Sequence, residues 1–509
     1  MNELLTTAEM TQADRLTIAG GTPGIELMER AGIAVAELAD RVAKGPARIV
    51  VVAGPGNNGG DGFVAARHLS AHSHEVRVSF VGDKSKLRGD AAIAAANWKG
   101  PVDAAAPDQL AGCGMIVDAL FGAGLDREVT GQARTMIEAM NAAGVPVIAV
   151  DLPSGINGTT GAVMGVAVNA SHTVTFFRRK PGHLLLPGRL HCGKLDVADI
   201  GIPDSVLATI KPMTFANGPQ LWGERFPTPR PEGHKYARGH AVVASGGLST
   251  TGAARLAARG ALRAGAGLVT IASPREALAV NAAANLAVMV RPVDGAGELA
   301  AFLADKRHNA MVLGPGGGVG GAMREQVVAA LDTEAGVVLD ADALSSFAMD
   351  PEALFAAIKK RASAATLLTP HDGEFSRLFK TISINPDVNS KLEKARAAAR
   401  DCGAVVLLKG ADTVVAAPDG RASIADNAPP YLATAGAGDV LAGIIAGLMA
   451  QGMPPFEAAS AAVWLHGEAA ASFGVGLIAE DLPEELPRVY RRLFTDRGWT
   501  VDGTGARRD

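Results

Sequence analysis

Aromatic residues make up only 4% of this 509-residue chain, which argues against a surface that stacks nucleic-acid bases. The net charge is −4, so a broad basic surface for nucleic acid or anionic lipid is not expected either. The first residues lack the basic and apolar segments of a signal peptide, and no apolar run reaches the roughly 18–20 residues that span a bilayer. The sequence therefore predicts no nucleic-acid partner, no membrane segment and a cytoplasmic location.

Cysteine is also scarce. Cys113, Cys192 and Cys402 lie far apart without metal-ligand spacing, and a small odd number of cysteines is typical of a reducing compartment. Glycine is abundant, with 61 residues, and 48% of the chain is apolar, as in α/β proteins with many tight turns. The length exceeds what one core accommodates, which predicts roughly two to four domains.

Short β-rich runs alternate with helical patterns in two blocks. In the first block, an amphipathic helix over 25–42 precedes strands predicted at 48–53, 75–81, 115–119 and 145–150, with helices at 61–72, 88–99 and 130–143 and edge strands at 173–177 and 194–198. The second block has strands predicted at 240–244, 268–272, 310–313, 336–340, 366–369 and 404–409, and helices at 251–264, 439–450, 456–472 and 480–494. Such alternation predicts mostly parallel sheets covered by helices on both faces. A Pro- and Gly-rich stretch lies between the blocks, so we predict a first domain over 1–215, a linker over 216–235 and a second domain over 236–509.

Residues 54–62 read GPGNNGGDG directly after the first predicted strand. The glycines fit the G-x-G-x-x-G spacing of a dinucleotide-binding turn, and Asp83 follows about 20 residues later, where a dehydrogenase has its ribose-binding acid. Against that interpretation, Asn57, Asn58 and Asp61 fill the turn with side-chain oxygens. The spacing alone leaves both a hydride-transfer cofactor and another phosphate-containing ligand open.

The loops GPGNNGGDG, GDKSK, DALFGAGLD and DLPSG each follow a predicted strand. Because the carboxyl ends of parallel strands lie at the same edge of a sheet, these loops are expected to form a single site. With Asn57, Asn58 and Asp61, the side chains of Asp118 and Ser154 resemble an oxygen cage for a hard cation beside a phosphate. The simpler alternative is that Asp118 and Asp151 only cap turns.

Residues 1–210 resemble the epimerase family that acts on hydrated nicotinamide nucleotides, through GPGNNGGDG, the segment GTPGIELMERAG (21–32), DALFGAG and DLPSG. The resemblance implies inversion at the hydroxyl-bearing C6 of the damaged ring and potassium ligation by Asn58, Asp118 and Ser154. It implies that Asp151 holds the substrate, and Asp151 is also a catalytic candidate. The other substrate contacts that it implies are Asn57, Asn58, Gly59, Gly60, Asp61, Gly122, Ala123, Gly124, Leu125, Asp126, Arg127 and Glu128.

The run TAGAGDVLAGIIAGLMAQG begins at Thr434 and places Gly436 and Gly438 before a long apolar helix. Their amides and the helix dipole form an anion hole, and Asp439 lies where the same field stabilises a carboxylate. An anion hole beside a carboxylate suits phosphoryl transfer, because the amides stabilise the moving group while the aspartate accepts a hydroxyl proton. The alternative is an ordinary helix N-cap, where Asp is common.

The second half resembles the ADP-dependent NAD(P)H-hydrate dehydratases of the ribokinase-like fold over about residues 225–495. The motifs that carry the resemblance are GAGD, GAARLAARGALRAGAGLVT (252–270), LGPGGG (313–318), LDADAL (339–344), LLTPHDGEFSRL (367–378) and LLKGADTVVAAPDG (407–420). The resemblance implies that Ala253, Gly316, His371 and Asp439 contact the hydrate. It also implies that Lys409, Gly410, Ala411, Asp412, Thr413 and Gly438 hold the nucleotide, with ADP or ATP as phosphoryl donor and Mg²⁺ and K⁺ as cofactors.

The whole chain therefore resembles the bifunctional repair family: an α/β protein with a Rossmann-like three-layer domain followed by a ribokinase-like α/β/α domain. The resemblance implies interconversion of R and S hydrates and dehydration of the S form to NADH or NADPH. NADHX, NADPHX and ADP are the expected small-molecule substrates, and a homo-oligomer is expected. Two alternatives stay open, a vitamin-precursor kinase of the same fold and a first domain that binds nucleotide without catalysis.

Overall fold

Alternating strands and helices build a sheet in each of two units, Glu3–Thr214 and Phe215–Asp509. This computed structural model describes residues 2–229, 232–361, 365–383 and 390–499. Among them no helix combines the length and the apolar character needed to cross a bilayer. The three cysteines are free and buried.

The first unit contains a seven-stranded sheet in the order β3-β2-β1-β4-β5-β6-β7, and all its strand pairs are parallel. This order is that of a doubly wound dinucleotide-binding fold, so the predicted Rossmann-like class is confirmed. The strands are β1 (Arg48–Ala53), β2 (Glu75–Phe80), β3 (Val102–Ala104), β4 (Met115–Ala119), β5 (Val147–Val150), β6 (His172–Phe176) and β7 (Lys194–Ala198). The helices are α1 (Thr7–Ala19), α2 (Gly24–Ala43), α3 (Asn57–Ala71), α4 (Gly89–Asn97), α5 (Gly131–Ala142), α6 (Gly188–His191) and α7 (Val206–Ile210).

Helix α3 differs from its prediction because it begins at Asn57 and not near residue 61. The segment NNGGD is therefore the first turn of the helix and not the loop before it. Glycine permits this early start: a Cβ on Gly59 would lie 1.9 Å from the Gly54 carbonyl oxygen, and one on Gly62 would lie 2.5 Å from the Ala119 Cβ. The helix thus packs directly on the ends of β1 and β4.

The second unit has a ten-stranded sheet in the order β11-β10-β9-β12-β13-β14-β15-β16-β17-β8. Pairing is parallel from β11 to β15 and antiparallel from β15 to β17. Its strands are β8 (Thr214–Ala216), β9 (His240–Ala244), β10 (Leu268–Ser273), β11 (Met289–Pro292), β12 (Ala310–Leu313), β13 (Gly336–Leu339), β14 (Thr366–Leu368), β15 (Val405–Leu408), β16 (Val414–Ala416) and β17 (Ala422–Ile424). The strands predicted for this block are all present, and β8, β11, β16 and β17 are additional.

Helices cover this second sheet, and Trp222 and Phe226, from the predicted linker, are buried in its core. The predicted C-terminal helices are confirmed as α18, α19 and α20, within one to two residues at most ends. The helices are α8 (Pro219–Trp222), α9 (Thr251–Arg263), α10 (Leu278–Ala284), α11 (Gly295–Leu303), α12 (Gly321–Leu331), α13 (Asp342–Ser345), α14 (Pro351–Lys359), α15 (Asp372–Leu378), α16 (Lys380–Ser383), α17 (Lys391–Cys402), α18 (Ala437–Ala450), α19 (Pro455–Phe473) and α20 (Asp481–Arg497).

Helices α9 and α18 touch backbone to backbone through glycine. A Cβ on Gly443 would lie 2.0 Å from the Ala257 carbonyl oxygen, and one on Gly447 would lie 2.5 Å from that of Ala261. A Cβ on Gly260 would approach the Val440 carbonyl oxygen to 2.7 Å. This close contact fixes α18, whose first turn carries Asp439, against α9, whose first turn carries Ala253.

We predict that Gly443→Ala destabilises the fold by about 1–3 kcal/mol, because the added methyl group overpacks this contact. Gly252→Ala in α9 is the matched control, since a Cβ there meets nothing within 4 Å. Alanine favours a helix over glycine, so the control is expected to be neutral or slightly stabilising. The thermal unfolding midpoints of the two variants check the prediction, and equal midpoints would contradict it.

Candidate active sites

A cavity of about 550 Å³ in the first unit opens beyond the carboxyl ends of β1, β4 and β5. The first turns of α3, the loop after β4 and the turn after β5 meet there, as the topology of a parallel sheet requires. Predicted substrate contacts that line the cavity are Asn57, Asn58, Asp61, Gly122, Ala123, Gly124, Leu125, Asp126, Arg127 and Asp151.

Gly122, in the loop after β4, lies close to both other segments. A Cβ on this residue would lie 3.0 Å from Asn58 Oδ1 and 3.2 Å from Asp151 Oδ2. Because Gly122 has no side chain, the cavity stays open between the Asn58 amide group and the Asp151 carboxylate.

The other predicted contacts of this site lie around the cavity. Gly59 packs on the Gly54 backbone, Gly60 packs against Met28, and Glu128 packs beside Gly165. The proposed ribose acid of a dehydrogenase, Asp83, is exposed and accepts hydrogen bonds from the backbone N–H and the hydroxyl of Ser85. Asp83 is a local turn residue and does not line the cavity, which removes the main support for the dehydrogenase interpretation.

Asp151 is held in a buried network that the sequence did not reveal. Lys180 Nζ donates to Asp151 Oδ1 at 2.6 Å and to Thr175 Oγ1 at 2.9 Å, and Ala123 N donates to Asp151 Oδ2 at 3.0 Å. Only 1% of the Lys180 side chain is exposed. Burial opposes ionisation of Asp151, but the charge and hydrogen bond of Lys180 outweigh it and lower the pKa of the carboxyl. Asp151 is therefore a fixed, fully engaged anion.

Two further carboxyl groups at the same cavity are not paired in this way. Burial raises the pKa of Asp61 well above its usual value, and nearby Asp151 and Asp14 raise it further. Burial also raises the pKa of Asp14 to about 6, although the charge of Lys180 opposes the shift. The sequence signal that would have found Asp14 is the capping box of α1, in which Thr6 and Glu9 exchange hydrogen bonds.

The predicted potassium ligands Asp118 and Ser154 lie together behind the cavity and are fully buried. Ser154 donates its hydroxyl to Asp118 Oδ1 at 2.6 Å and its backbone N–H to Oδ2 at 2.8 Å. Burial raises the pKa of Asp118 to about 6, and hydrogen bonds from Ser154 and Leu120 only partly offset it. The Asn58 amide nitrogen is buried and has no hydrogen-bond partner among the described residues. A buried carboxylate that has no cationic partner among the described residues fits a site for a monovalent cation, and Asn58 could join such a site only through its amide oxygen, because its amide nitrogen is a hydrogen-bond donor.

The second candidate site surrounds the first turn of α18. Gly436 is the N-cap in a left-handed conformation (φ 85°), and Ala437 N donates to the Thr434 carbonyl. Among the described residues, the backbone N–H groups of Gly436, Gly438 and Asp439 have no acceptor. These groups point from a helix start that carries partial positive charge, so they are suited to an anion.

Asp439 is the third residue of α18, and its carboxylate makes no hydrogen bond or ion pair within the described part of the chain. Burial raises its pKa to about 6, the charge of Asp340 adds to the shift, and Lys409 opposes it. The group is therefore an unengaged carboxylate whose raised pKa suits a proton acceptor.

Lys409 is paired and not a surface lysine. Its Nζ lies 2.8 Å from Asp340 Oδ1, which also accepts from the Thr369 hydroxyl at 2.8 Å, and 3.9 Å from Glu374 Oε2. A Cβ on Gly438 would lie 3.7 Å from Lys409 Nζ. Asp340 belongs to the LDADAL motif, but its pairing with a residue 69 positions later has no local sequence signal.

Ala253 and Gly316, two predicted substrate contacts, lie together: a Cβ on Gly316 would lie 3.4 Å from the Ala253 Cβ. A Cβ on Gly436 would meet Leu256 of α9, so the anion-hole loop touches the helix that carries Ala253. His371 is the N-cap of α15 and accepts from the backbone N–H groups of Gly373 and Glu374 through Nδ1. Half of this side chain is exposed.

The predicted nucleotide-binding residues 409–413 form a tight turn. Thr413 Oγ1 accepts from Gly410 N at 3.1 Å and donates to the Gly410 carbonyl at 2.7 Å. Lys391 Nζ donates to Asp412 Oδ1 at 2.7 Å and to the Lys409 carbonyl at 3.1 Å. Ala411 belongs to the same turn. Hydrogen bonds thus hold this turn in one shape, with Lys409 at its start.

His466 in α19 contacts the start of α18 through a hydrogen bond to the Ala437 backbone, and no sequence pattern predicted this contact. Burial lowers its pKa to about 4, although a hydrogen bond to the Ala437 backbone opposes the shift. The imidazole is therefore neutral at physiological pH, and its Nε2 has no partner among the described residues.

Two family models match the chain. One described as NAD(P)H-hydrate dehydratase matches residues 241–488, and one described as YjeF-related protein N-terminus matches residues 24–182. The first model covers the residues described for the second candidate site, and the second covers those of the first site except for α1 and Ile200.

Known relatives match nearly the full length. The bifunctional NAD(P)H-hydrate repair enzyme Nnr of Moorella thermoacetica is 37% identical over 99% of this chain and 100% of its own length. The Escherichia coli protein of the same name is 34% identical over 93% of this chain and 90% of its own length. A crystal structure of ADP/ATP-dependent NAD(P)H-hydrate dehydratase from Bacillus subtilis is 30% identical, covers 52% of this chain and 94% of that chain, and has a TM-score of 0.45.

We predict that Lys180→Met destabilises the fold by about 3–5 kcal/mol at pH 7, because it leaves the Asp151 carboxylate buried without a counter-charge. Asp151 has a lowered pKa in the wild type, so its stabilising contribution exists above its ordinary pKa and is lost as the pH falls through the lower folded value. The difference between variant and wild type should therefore shrink at acidic pH.

Free energies of unfolding at neutral and acidic pH check this prediction. Arg134→Met is the matched control, since it removes an exposed ion pair with Glu138 at 2.9 Å and should cost no more than about 1 kcal/mol. If Lys180→Met lowers the free energy of unfolding by as little as the control does, the role given to Lys180 is contradicted.

Proposed function

The chain belongs to the family of bifunctional NAD(P)H-hydrate repair enzymes, and on this premise we propose that it restores hydrated NADH and NADPH in two steps. The first unit interconverts the R and S epimers at C6 of the hydrated ring. The second unit dehydrates the S epimer at the expense of ADP. The observation that carries the proposal is the unengaged Asp439 carboxylate beside free backbone amides and the Lys409–Asp340 pair.

The dehydration needs activation, because hydroxide is a poor leaving group at neutral pH. Asp439 accepts the proton of the C6 hydroxyl, and the oxygen bonds to the β-phosphorus of ADP as AMP departs. The C6–O bond then breaks with its electron pair on phosphate, assisted by the ring nitrogen lone pair. Loss of a C5 proton returns the C5–C6 double bond.

The remaining residues of this site bind and orient. The amides of Gly436 and Gly438 stabilise charge on the moving phosphoryl group, and Lys409 supplies a positive charge beside them. The rigid turn 409–413 holds the nucleotide, and Ala253, Gly316 and His371 contact the hydrate. Among the described residues no group of three or more His, Cys, Asp or Glu side chains forms a metal site. Mg²⁺ would therefore be held mainly by the phosphates of the nucleotide, where it neutralises their charge.

In the first unit Asp151 and the loop around Ala123 hold the substrate. Asn57, Asn58 and Asp61, in the first turn of α3, line the same cavity. Asn58, Asp118 and Ser154 would hold K⁺, which would supply a fixed positive charge at this site. The expected cytoplasmic location and self-association stay predictions.

We predict that Asp439→Asn lowers the rate of dehydration by about 100-fold or more, because the amide cannot accept the hydroxyl proton. Asp151→Asn is the counterpart: it should leave dehydration of pure S epimer intact and reduce consumption of the R epimer to its spontaneous rate. The recovery of dihydronicotinamide absorbance and the release of free phosphate are followed with ADP and Mg²⁺.

A stable phosphorylated product in place of free phosphate would favour the vitamin-precursor kinase. Consumption of the R epimer only at its spontaneous rate in the wild type would favour a non-catalytic first unit. Full dehydration by Asp439→Asn would contradict the role given to Asp439.

We also predict that K⁺ stabilises the chain by about 1–3 kcal/mol when it is well above its dissociation constant. Asp118 has a pKa raised to about 6, so its carboxylate is available to the cation above that pH and protonated below it. K⁺ should therefore raise the unfolding midpoint at pH 8 and have little effect at pH 5. Tetramethylammonium at equal ionic strength is the control ion, and a K⁺ effect that persists in Asp118→Asn would contradict the assignment.

A further inference from the structure

One face of α1 forms a wall of the first cavity. Thr7, Met10, Thr11, Asp14 and Ile18 all line it, at intervals of three or four residues that place them on the same side of a helix. Thr7 Oγ1 donates to the Ala123 carbonyl at 2.9 Å. The helix is thereby tied to the loop after β4, and Asp14 lies two turns further along the same wall.

Asp14 lines this cavity with a partly exposed carboxylate that is not held as Asp151 is. No hydrogen bond or ion pair engages its side chain in the part of the chain that the structure describes, whereas both oxygens of Asp151 are engaged by Lys180, Thr175 and Ala123. Asp61 is buried in the first turn of α3, and burial raises its pKa well above the usual value. A carboxylate that exchanges a proton with a substrate must be free to reach it, and Asp14 is partly exposed at the cavity, whereas Asp151 is fully engaged and Asp61 is buried.

The charges around Asp14 come from several elements. Lys180 after β6 lowers its pKa, Asp151 after β5 raises it, and Asp61 of α3 is the neighbouring acid. Asp90 of α4 and the loop residues Asp126 and Arg127 also line the cavity. Burial outweighs these charges and brings the pKa of Asp14 to about 6, close to the pH at which a shuttle works best.

We propose that Asp14 is the acid–base residue of the epimerisation, an inference that rests on the proposed function of the first unit. Asp14 takes the proton of the C6 hydroxyl, the C6–O bond becomes a carbonyl, and the C6–N1 bond breaks with its electron pair on N1. Asp14 returns the proton to N1, which gives an open-chain aldehyde. Rotation about C5–C6 presents the other carbonyl face, and the reverse transfers close the ring with inverted configuration. Atoms and electrons balance without a further reactant.

The Lys180–Asp151 pair has a positioning role in this scheme. Asp151 is fixed by its hydrogen bonds and cannot act as the base without losing Lys180. Burial is the main cause of the raised pKa of Asp14; Lys180 lowers that pKa and the charge of Asp151 offsets part of the lowering.

The experiment uses purified S hydrate and the full chain without nucleotide, so that dehydration does not consume the substrate. The approach to the R/S equilibrium is followed by chromatography. Asp14→Asn should lower kcat by about 100-fold or more with little change in KM, and it should remove the pH dependence near pH 6 that the wild type shows. Asp14→Glu should restore part of the rate with a shifted pH profile. Arg15→Gln, an exposed change on the same helix, is the matched control and should behave as the wild type.

The outcomes distinguish the hypothesis that the first unit is an epimerase from the hypothesis that Asp14 is its acid–base residue. A wild type that does not equilibrate the epimers above the spontaneous rate would overturn the proposed function of the unit. A wild type that does so, with Asp14→Asn retaining its rate and pH profile, would overturn the role of Asp14. If Asp14→Asn does not fold, Asp14→Glu decides, because an unchanged pH profile in that variant would also overturn the role.

Discussion

A lysine that pairs with one aspartate while a second aspartate nearby stays unpaired is the interaction on which both sites depend. Lys180 pairs with Asp151 in the first unit, and Lys409 pairs with Asp340 in the second. In each case a further aspartate stays unpaired nearby, with a pKa raised to about 6 by burial. Pairing fixes one anion as a structural charge, and the carboxylate that stays unpaired is able to exchange a proton.

The parallel sheets make this crowding possible. Asp151 follows β5 and Asp340 follows β13, so the carboxyl ends of neighbouring strands bring the charged groups to one edge. The backbone at both places is unusual, since Asp151 (φ 64°) and Ala341 (φ 48°) adopt left-handed conformations that cost energy for residues with a side chain. Such strain persists only where the surroundings determine the conformation, and it is common at functional sites.

The sequence predicted what depends on local pattern. Buried strands with continuous apolar runs and the long helices α18 to α20 were found, and the loops after β1, β4 and β5 were placed at one site. Strands of three residues such as β3, β16 and β17 are too short for a period to be recognised. Helix α1 was missed because its polar and small residues carry little amphipathic pattern.

The lysines that pair with Asp151 and Asp340 could not be predicted from the sequence for another reason. Lys180 is 29 positions from Asp151, and Lys409 is 69 positions from Asp340, so these pairs form only when the sheets assemble. A motif identifies the carboxylates, but the fold decides which one is neutralised. The division into an engaged and an unengaged aspartate is therefore information that the three-dimensional structure adds.

In this account an unengaged aspartate takes the C6 hydroxyl proton in both units, and the C6 oxygen leaves the substrate only with phosphate. The most direct test is the fate of ¹⁸O in a hydrate labelled at the C6 hydroxyl. The account predicts that the label stays on the hydrate during epimerisation and appears in inorganic phosphate after dehydration with ADP. Label released into water during dehydration, with unlabelled phosphate, would contradict it.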